Sequence, residues 1–294
     1  MELRHIAVRE GRLSTFLQRE LKLSTGLINR LKWQGAILVN GKPEWNNFPV
    51  QAGDVITVRL DEPEPEYPPE DGEFRIVYED EHILAADKPA GMLIHPSRAQ
   101  NSGTFANRAA GYYERTGQKC AFHPVTRLDR DTFGIVLLAK NAHVHSLLND
   151  LHAKGQLRKT YHALTFGCPP ESSGVIDLPI ARRPLPSLLR CISPEGKPSV
   201  TEYRILEQCG SVARLELRPV TGRTHQLRLH CAHLGFPILG DPQYGSEASQ
   251  LFSEQLGLQG QQLCAHTLEF CHPMTGQQMC IYSGMDVSLL RFEL

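Results

Sequence analysis

Residues 123–140 join a loop dense in charge to a run that carries none. The stretch His123-Pro-Val-Thr-Arg-Leu-Asp-Arg-Asp-Thr-Phe-Gly134 continues directly into Ile135-Val-Leu-Leu-Ala-Lys140. The run from Ile135 to Ala139 is too short for a helix and rich in branched residues, which predicts a buried strand. The loop before it is therefore pinned to the core. Arg127, Asp129, Arg130 and Asp131 crowd into five positions of that loop, and a carboxylate taken out of water is costly unless a cation or several N–H donors compensate. A carboxylate placed at that cost is a candidate catalyst.

A chain of 294 residues is long for one domain and comfortable for a large core with a small satellite, so two domains are expected. No apolar run approaches the length of a membrane span, and no N-terminal stretch pairs a basic start with an apolar core, so the chain is expected in the cytoplasm. Eight cysteines lie seven or more residues apart, which leaves no C-x-x-C ligand pair and reads as small buried side chains in a reducing compartment. The net charge of −1 argues against a nucleic-acid partner only until charge is counted by region. Residues 1–60 carry nine Lys/Arg against five Asp/Glu, and residues 61–73 carry seven acids and no base. An acidic segment thus hides a basic head.

In residues 1–60, Leu13, Phe16 and Leu17, then Leu27, Ile28 and Leu31, fall at helical spacing, with Ser24 placed to cap the second helix. Ala36 to Lys42 gives a strand running into an Asn40-Gly41 turn, and Ala52 to Val58 a turn running into a strand. Residues 61–73 alternate acid and proline and read as a stiff linker. Residues 74–294 then form the larger domain. It begins with strands at Phe74–Tyr78 and His82–Ala86, and further on a helix over Ala142–Ala153 precedes a strand over Arg158–Phe166. That strand puts Lys159, Tyr161 and Ala163 on one face. Strands at Gly196–Leu206 and Ala213–Arg218 lead to a helix near Thr224, with Leu227, Cys231 and Leu234 spaced to face the core.

Several of these segments resemble one known family. Thr126-Arg-Leu-Asp-Arg-Asp-Thr-Phe-Gly134 is similar to the H-R-L-D-x-x-T-S-G motif of the RluA-type pseudouridine synthases, with Thr126 standing where His is usual and Phe133 where Ser is usual. Asp87-Lys-Pro-Ala-Gly-Met-Leu-Ile-His-Pro96 resembles the family's N-K-P-x-G-x-x-x-H-P segment, and Lys159-Thr-Tyr-His-Ala163 its K-x-Y-x-A. Thr221-Gly-Arg-Thr-His-Gln-Leu-Arg-Leu-His230 and Leu234 to Gly245 match two further patterns. The match extends through Cys264–Gly276, leaving 172–194 and 246–260 locally distinct. The resemblance implies an α+β catalytic fold on a mixed, mainly antiparallel sheet. It implies Asp129 as nucleophile, Arg228 as its ion-pair partner, and Tyr161 stacked on the flipped uracil and able to relay a proton. It assigns Arg127 to filling the space that the flipped nucleotide vacates, and Lys88 to the RNA channel. Residues 1–60 resemble the S4 RNA-binding domain, which would set Arg30, Lys32 and Lys42 against a phosphate backbone.

The chemistry so implied is uridine to pseudouridine: the N1–C1′ bond is cut, the uracil turns, and C1′ joins C5, with no redox change. No cofactor is required. One carboxylate can assist at the sugar, as in glycosidases; attack at C1′, attack at uracil C6 and a glycal route all stay open. Each needs the base out of its stack. The expected partner is ribosomal RNA or tRNA, and the expected state a monomer. A second reading, a non-catalytic RNA-binding or ribosome-assembly factor on the same fold, has no need of Asp129, Tyr161 and Arg228 together. A metal-dependent hydrolase using His225, His230 and His233 fits poorly, because offsets of five and three residues turn these rings by roughly 140° and 60° on a helix. No metal is expected.

Overall fold

The computed structural model describes residues 1–60, 66–184, 187 and 189–289; the first part of the acidic linker, 61–65, lies outside them. The first 60 residues form β1 (Glu2–Ile6), β2 (Gly11–Arg12), α1 (Leu13–Arg19), α2 (Thr25–Trp33), β3 (Ile37–Val39), β4 (Lys42–Pro43), β5 (Pro49–Val50) and β6 (Val55–Arg59). Their main sheet runs β1-β6-β3-β4 and is antiparallel throughout. The apolar positions at helical spacing are the buried ones: those of α1 and α2 meet Ile37, Val39, Ile56 and Val58 in one core. Ser24 caps α2 by accepting from the Leu27 N–H at 3.2 Å. Asn40 and Gly41 turn the hairpin with φ of 50° and 81°, the pair of positive values that a two-residue turn of this hand needs. Strand β1 has no counterpart in the sequence reading, because it is an edge strand with only Leu3 and His5 partly covered.

The larger part follows as β7 (Arg75–Glu79), β8 (Ile83–Lys88), α3 (Phe105–Arg115), β9 (His123–Pro124), β10 (Phe133–Ala139), α4 (Ala142–Ala153), β11 (Arg158–Phe166), β12 (Ser173–Asp177), β13 (Ile180–Arg182), β14 (Arg190–Ile192), β15 (Val200–Cys209), β16 (Val212–Pro219), α5 (Gln226–His233), α6 (Glu247–Gln255), β17 (Leu263–Cys271) and β18 (Gln278–Tyr282). The sheet order is β12-β15-β16-β11-β17-β10-β8-β7, with β18 on β17 and β9 on β10. Among the strands of the described residues only the β10–β17 pairing is parallel, so the sheet is mixed and mainly antiparallel.

Strand β10 is covered on both faces. Ile135, Leu137 and Ala139 pack with Val144 and Leu148 of α4, while Val136 and Leu138 pack with Phe105, Ala109 and Tyr113 of α3. This explains an uninterrupted apolar run where a half-exposed strand would alternate. The segments without family likeness hold the edge strand β12, the β13–β14 pair and α6.

Three expectations are corrected. Strand β15 starts at Val200 rather than Gly196, because Gly196 lies in a turn so close to Ile180 that a Cβ would come within 2.6 Å of its carbonyl carbon. Leu234 ends α5 and is 47% exposed, so it does not join Leu227 and Cys231 in the core. Residues 66–73 are docked rather than a free spacer. The Glu70 N–H donates to the Asn107 carbonyl at 3.1 Å, its carboxylate accepts from Gly103 N–H, and Asn107 Nδ2 donates to the Pro68 carbonyl at 2.9 Å. Gly111 on α3 makes room for this segment, since a Cβ there would lie 2.2 Å from the Glu70 carbonyl oxygen.

Candidate active site

Strands β16, β11, β17 and β10 are neighbours, and their register sets one row: Leu217, Tyr161, Ala265 and Gly134. Tyr161 therefore stands two strand spacings, roughly 10 Å, from the point where the Asp129 loop enters β10. Gly134 has φ of 101°, and a Cβ there would sit 2.3 Å from the Ala265 carbonyl oxygen; any side chain would push the loop off the sheet.

The loop from Val125 to Thr132 is tied down at both ends. Thr126 is buried, and its hydroxyl accepts from the Leu137 N–H at 2.9 Å, so the residue that departs from the family motif has a structural use here. Thr132, also buried, accepts from Gln261 Nε2. In the middle, Lys88 Nζ donates to the carbonyls of Pro89, Met92 and Arg130 at 2.8, 2.9 and 2.8 Å. Lys88 is fully buried, which corrects its expected place in an RNA channel: all three donors are spent on backbone, and no surface of it is open to a phosphate. Burial drops its pKa from 10.5 to about 7, against the pull of Asp131 and Asp129.

Arg228 on α5 donates from Nη1 to Asp129 Oδ2 at 3.2 Å. Its stronger partner is Asp241, which takes Nε at 2.6 Å and Nη2 at 2.7 Å in a two-pronged pair. Gln243 Oε1 accepts a further bond at 2.9 Å. Asp241 lies in the Gly240-Asp-Pro-Gln-Tyr244 segment of the family pattern, yet sequence reasoning gave it no role. The expected burial of the nucleophile is also revised: the Asp129 side chain is 30% exposed and that of Asp241 only 1%. Burial opposes the Arg228 charge, and the bonds and charge of Asp241, then Asp129, more than offset it and raise its pKa. One guanidinium thus anchors a hidden carboxylate and aims a reachable one.

His225, at the head of α5, has a role in the sequence reading only through the rejected metal set. Its backbone is left-handed, φ 58° and ψ 20°, a conformation that costs a non-glycine residue of order 1 kcal/mol. Gln226 holds the turn by using all its bonding capacity: Oε1 accepts from Thr221 Oγ1 and Arg223 N–H, and Nε2 donates to the Val200 carbonyl and Thr201 Oγ1. The Arg190 N–H donates to the Tyr244 hydroxyl, and that hydroxyl lies 2.9 Å from His225 Nδ1. With the phenol donating, Nδ1 accepts and Nε2 carries the proton. Nε2 lies 3.9 Å from Asp129 Oδ2. Burial lowers the His225 pKa, against the charge of Asp129.

Tyr161 is 9% exposed. Burial, then the Asp129 charge, raises its pKa far above the usual phenol range, so the hydroxyl keeps its proton. Arg127 is exposed beside the same loop, and its charge adds to burial in lowering the pKa of His95. A groove of about 720 Å³ runs between the end of α4, β11 and the 219–223 turn, lined by Arg158, Lys159, Arg218, Arg223, Glu202 and Glu269 among others. Asp129 is outside it, but Lys159 shares a face of β11 with Tyr161. Arg30 and Lys42 are exposed and Lys32 partly so, all on the first 60 residues.

The histidine set considered for a metal does not converge. His230 spends Nδ1 on Thr201 Oγ1 and Nε2 on the Leu178 carbonyl, each at 3.0 Å. Another trio, His162, His266 and Asp286, does bring its ligand atoms within 4.8 Å. Arg214 already neutralises that carboxylate, which also takes a 2.9 Å contact from His162 Nδ1, and the two imidazoles stack at 4.0 Å and 21°.

The molecule so far is a mixed-sheet α+β protein carrying an arginine-held carboxylate on the loop that enters β10, with a buried tyrosine two strands away. A model of the RNA pseudouridylate synthase family matches residues 82–233. The chain is 34% identical over 276 residues to the uncharacterized RNA pseudouridine synthase YjbO of Bacillus subtilis, covering 92% of this chain and 95% of that one. It is 32% identical over 291 residues to ribosomal large subunit pseudouridine synthase C of Vibrio cholerae, covering 95% and 90%. Among solved structures, human RNA pseudouridylate synthase domain containing 4 overlaps with a TM-score of 0.58 at 26% identity, over 71% of this chain and 87% of that one. The chain belongs to the RNA pseudouridine synthase family, whose members are isomerases that act on RNA. Among its described residues no helix is long and apolar enough to cross a membrane.

Proposed function

We propose that this chain converts specific uridines of ribosomal RNA to pseudouridine in the cytoplasm, with Asp129 as its nucleophile. The observation that carries the reading is the Arg228–Asp129 contact of 3.2 Å at the mouth of the row that holds Tyr161. Relatives named as ribosomal large subunit synthases, C above and D of Escherichia coli at 35% identity over 252 residues, favour ribosomal RNA over tRNA. In the reaction the N1–C1′ bond breaks, C1′ bonds to C5, the C5 proton leaves to solvent and N1 takes one up.

Asp129 is exposed enough to reach a flipped nucleotide and is aimed by a cation that Asp241 already orients. Tyr161 supplies the ring on which uracil stacks and an O–H that stays protonated. His225 offers an N–H beside the carboxylate as the sugar and base exchange partners. Arg127, exposed at the loop, enters the space left in the RNA. The basic side of the β11 groove takes the flanking strand. Residues 1–60 act as an S4-like grip through Arg30, Lys32 and Lys42, and residues 74–294 hold the chemistry. All these groups come from one chain, so a monomer suffices.

The test is to incubate unmodified large-subunit ribosomal RNA and bulk tRNA with the protein and map pseudouridine in each. New pseudouridine at defined ribosomal sites is expected. Tight binding with no conversion in either pool would favour the assembly-factor reading instead.

A further inference from the structure

The chain contains two tryptophans, Trp33 and Trp45, and both stand on the surface of the first 60 residues. Trp33, the last residue of α2, is 75% exposed; Trp45, just past β4, is 52% exposed. Their rings meet edge to face at 5.2 Å and 89°. Exposed tryptophan is a poor use of a large apolar ring, and two that pair across 12 positions of sequence make a formed feature rather than a scatter. Basic residues lie beside them in the chain. Lys32 Nζ stands 5.6 Å from the Trp33 ring centre. Arg30 precedes Trp33 by one helical step of three, the spacing that puts side chains on one face, and exposed Lys42 shares the hairpin limb that carries Trp45.

We propose that Trp33 and Trp45 form a stacking platform for unpaired bases of the RNA substrate, outside the site of isomerisation. The inference rests on the reading of residues 1–60 as an RNA grip and names what that grip selects. A perpendicular pair offers ring faces in two directions. Every base has a face to stack, and the phosphates on either side need the positive charge that Arg30, Lys32 and Lys42 supply. A paired, stacked duplex hides those faces, so the platform discriminates looped or single-stranded RNA from continuous helix. An apolar protein surface would use the rings but gain nothing from the lysine at the Trp33 ring or the basic residues next to it in the chain.

The two tryptophans are the chain's whole indole emission, which makes the test direct. The intact protein is titrated with three probes of equal length: oligouridylate, a hairpin with an unpaired loop, and a blunt RNA duplex, with binding followed in parallel by filter retention. Oligouridylate and the looped hairpin are expected to quench tryptophan emission, and the duplex to bind with much less quenching. Trp33→Ala and Trp45→Ala are each expected to weaken looped RNA about tenfold while leaving the salt slope of binding unchanged, because no phosphate contact is lost. Both positions are exposed, so the variants keep the fold. Equal quenching by duplex, or retained RNA with unaltered emission, overturns the platform. An emission shift that follows protein concentration instead of RNA overturns it in favour of a second copy on the patch. Pseudouridine formation at saturating RNA is expected to survive both substitutions, so failure of the platform and failure of the isomerase reading are separate results.

Discussion

Arg228 serves two carboxylates, and they are not equivalent. Asp241 is hidden and doubly bonded, whereas Asp129 takes one bond and faces out. Removing the hidden partner leaves a buried cation half paired, which costs about 3 kcal/mol. Asp241→Asn should therefore lower the urea midpoint markedly and reduce kcat, while Arg228→Lys, which loses the two-pronged fork, should lower kcat with a smaller loss of stability. The Tyr244 hydroxyl stands 2.9 Å from His225 Nδ1, the ring nitrogen opposite the one that faces Asp129. Tyr244→Phe removes one hydrogen bond worth about 1 kcal/mol, and a kcat about fivefold lower with KM unchanged is the expected result. A rise in KM alone would mean that Tyr244 only contacts RNA. At this scale, motif likeness pointed to Asp129 and Arg228 because their residue types and spacing are specific. The same likeness includes His225 but assigns it no part in the chemistry, since a left-handed turn and a hydroxyl 19 residues away leave no local pattern.

The elements act through the loop they hold. Lys88 ends β8 and ties three carbonyls together beneath Asp129. Lys88→Met should lower kcat while leaving RNA affinity intact, the opposite of what an RNA-contacting lysine would do. Its pH signature has a definite sign. The folded-state pKa is lowered by burial from 10.5 to about 7, so between those values the unfolded chain holds the proton more firmly. Lys88 thus opposes folding most below pH 7 and less as pH rises toward 10.5. Thermal melts of Lys88→Met should show less gain in stability across that window than the parent. The strands themselves were legible: the branched run of β10 and the alternation of β11 follow from how each meets its neighbours. What lay beyond the sequence was covering. Lys88 beside a proline turn reads as exposed, because the three carbonyls that bury it come from two separate segments. The acidic stretch before β7 reads as a spacer, because its composition says nothing of Gly111 making room for Glu70.

On the scale of the whole molecule, the fold carries many histidines kept neutral. Burial lowers the pKa of His95, His143, His145, His152, His225, His230, His266 and His272, with His143 near 4. The unfolded chain therefore takes up these protons first, and stability falls as pH drops below about 6.5, before the carboxylates titrate. Denaturant midpoints at intervals from pH 7 to pH 4 check this; a flat profile over that range would contradict it. The basic charge of residues 1–60 was readable by region, and it makes a separate prediction. A chain starting at Glu66, which keeps the docked segment on α3, should bind RNA more weakly and with a shallower salt dependence, yet still convert uridine at high RNA. The central claim, that Asp129 drives an isomerisation at uracil C5, is reached most directly by tritium release. Unmodified RNA labelled at uridine C5 is incubated with the parent protein and with Asp129→Asn, and RNA binding is measured for both. Joining C1′ to C5 must expel that hydrogen, so release by the parent and none by a variant that still binds RNA is the predicted result. Equal release by Asp129→Asn, or no release from RNA that the parent holds, would contradict it.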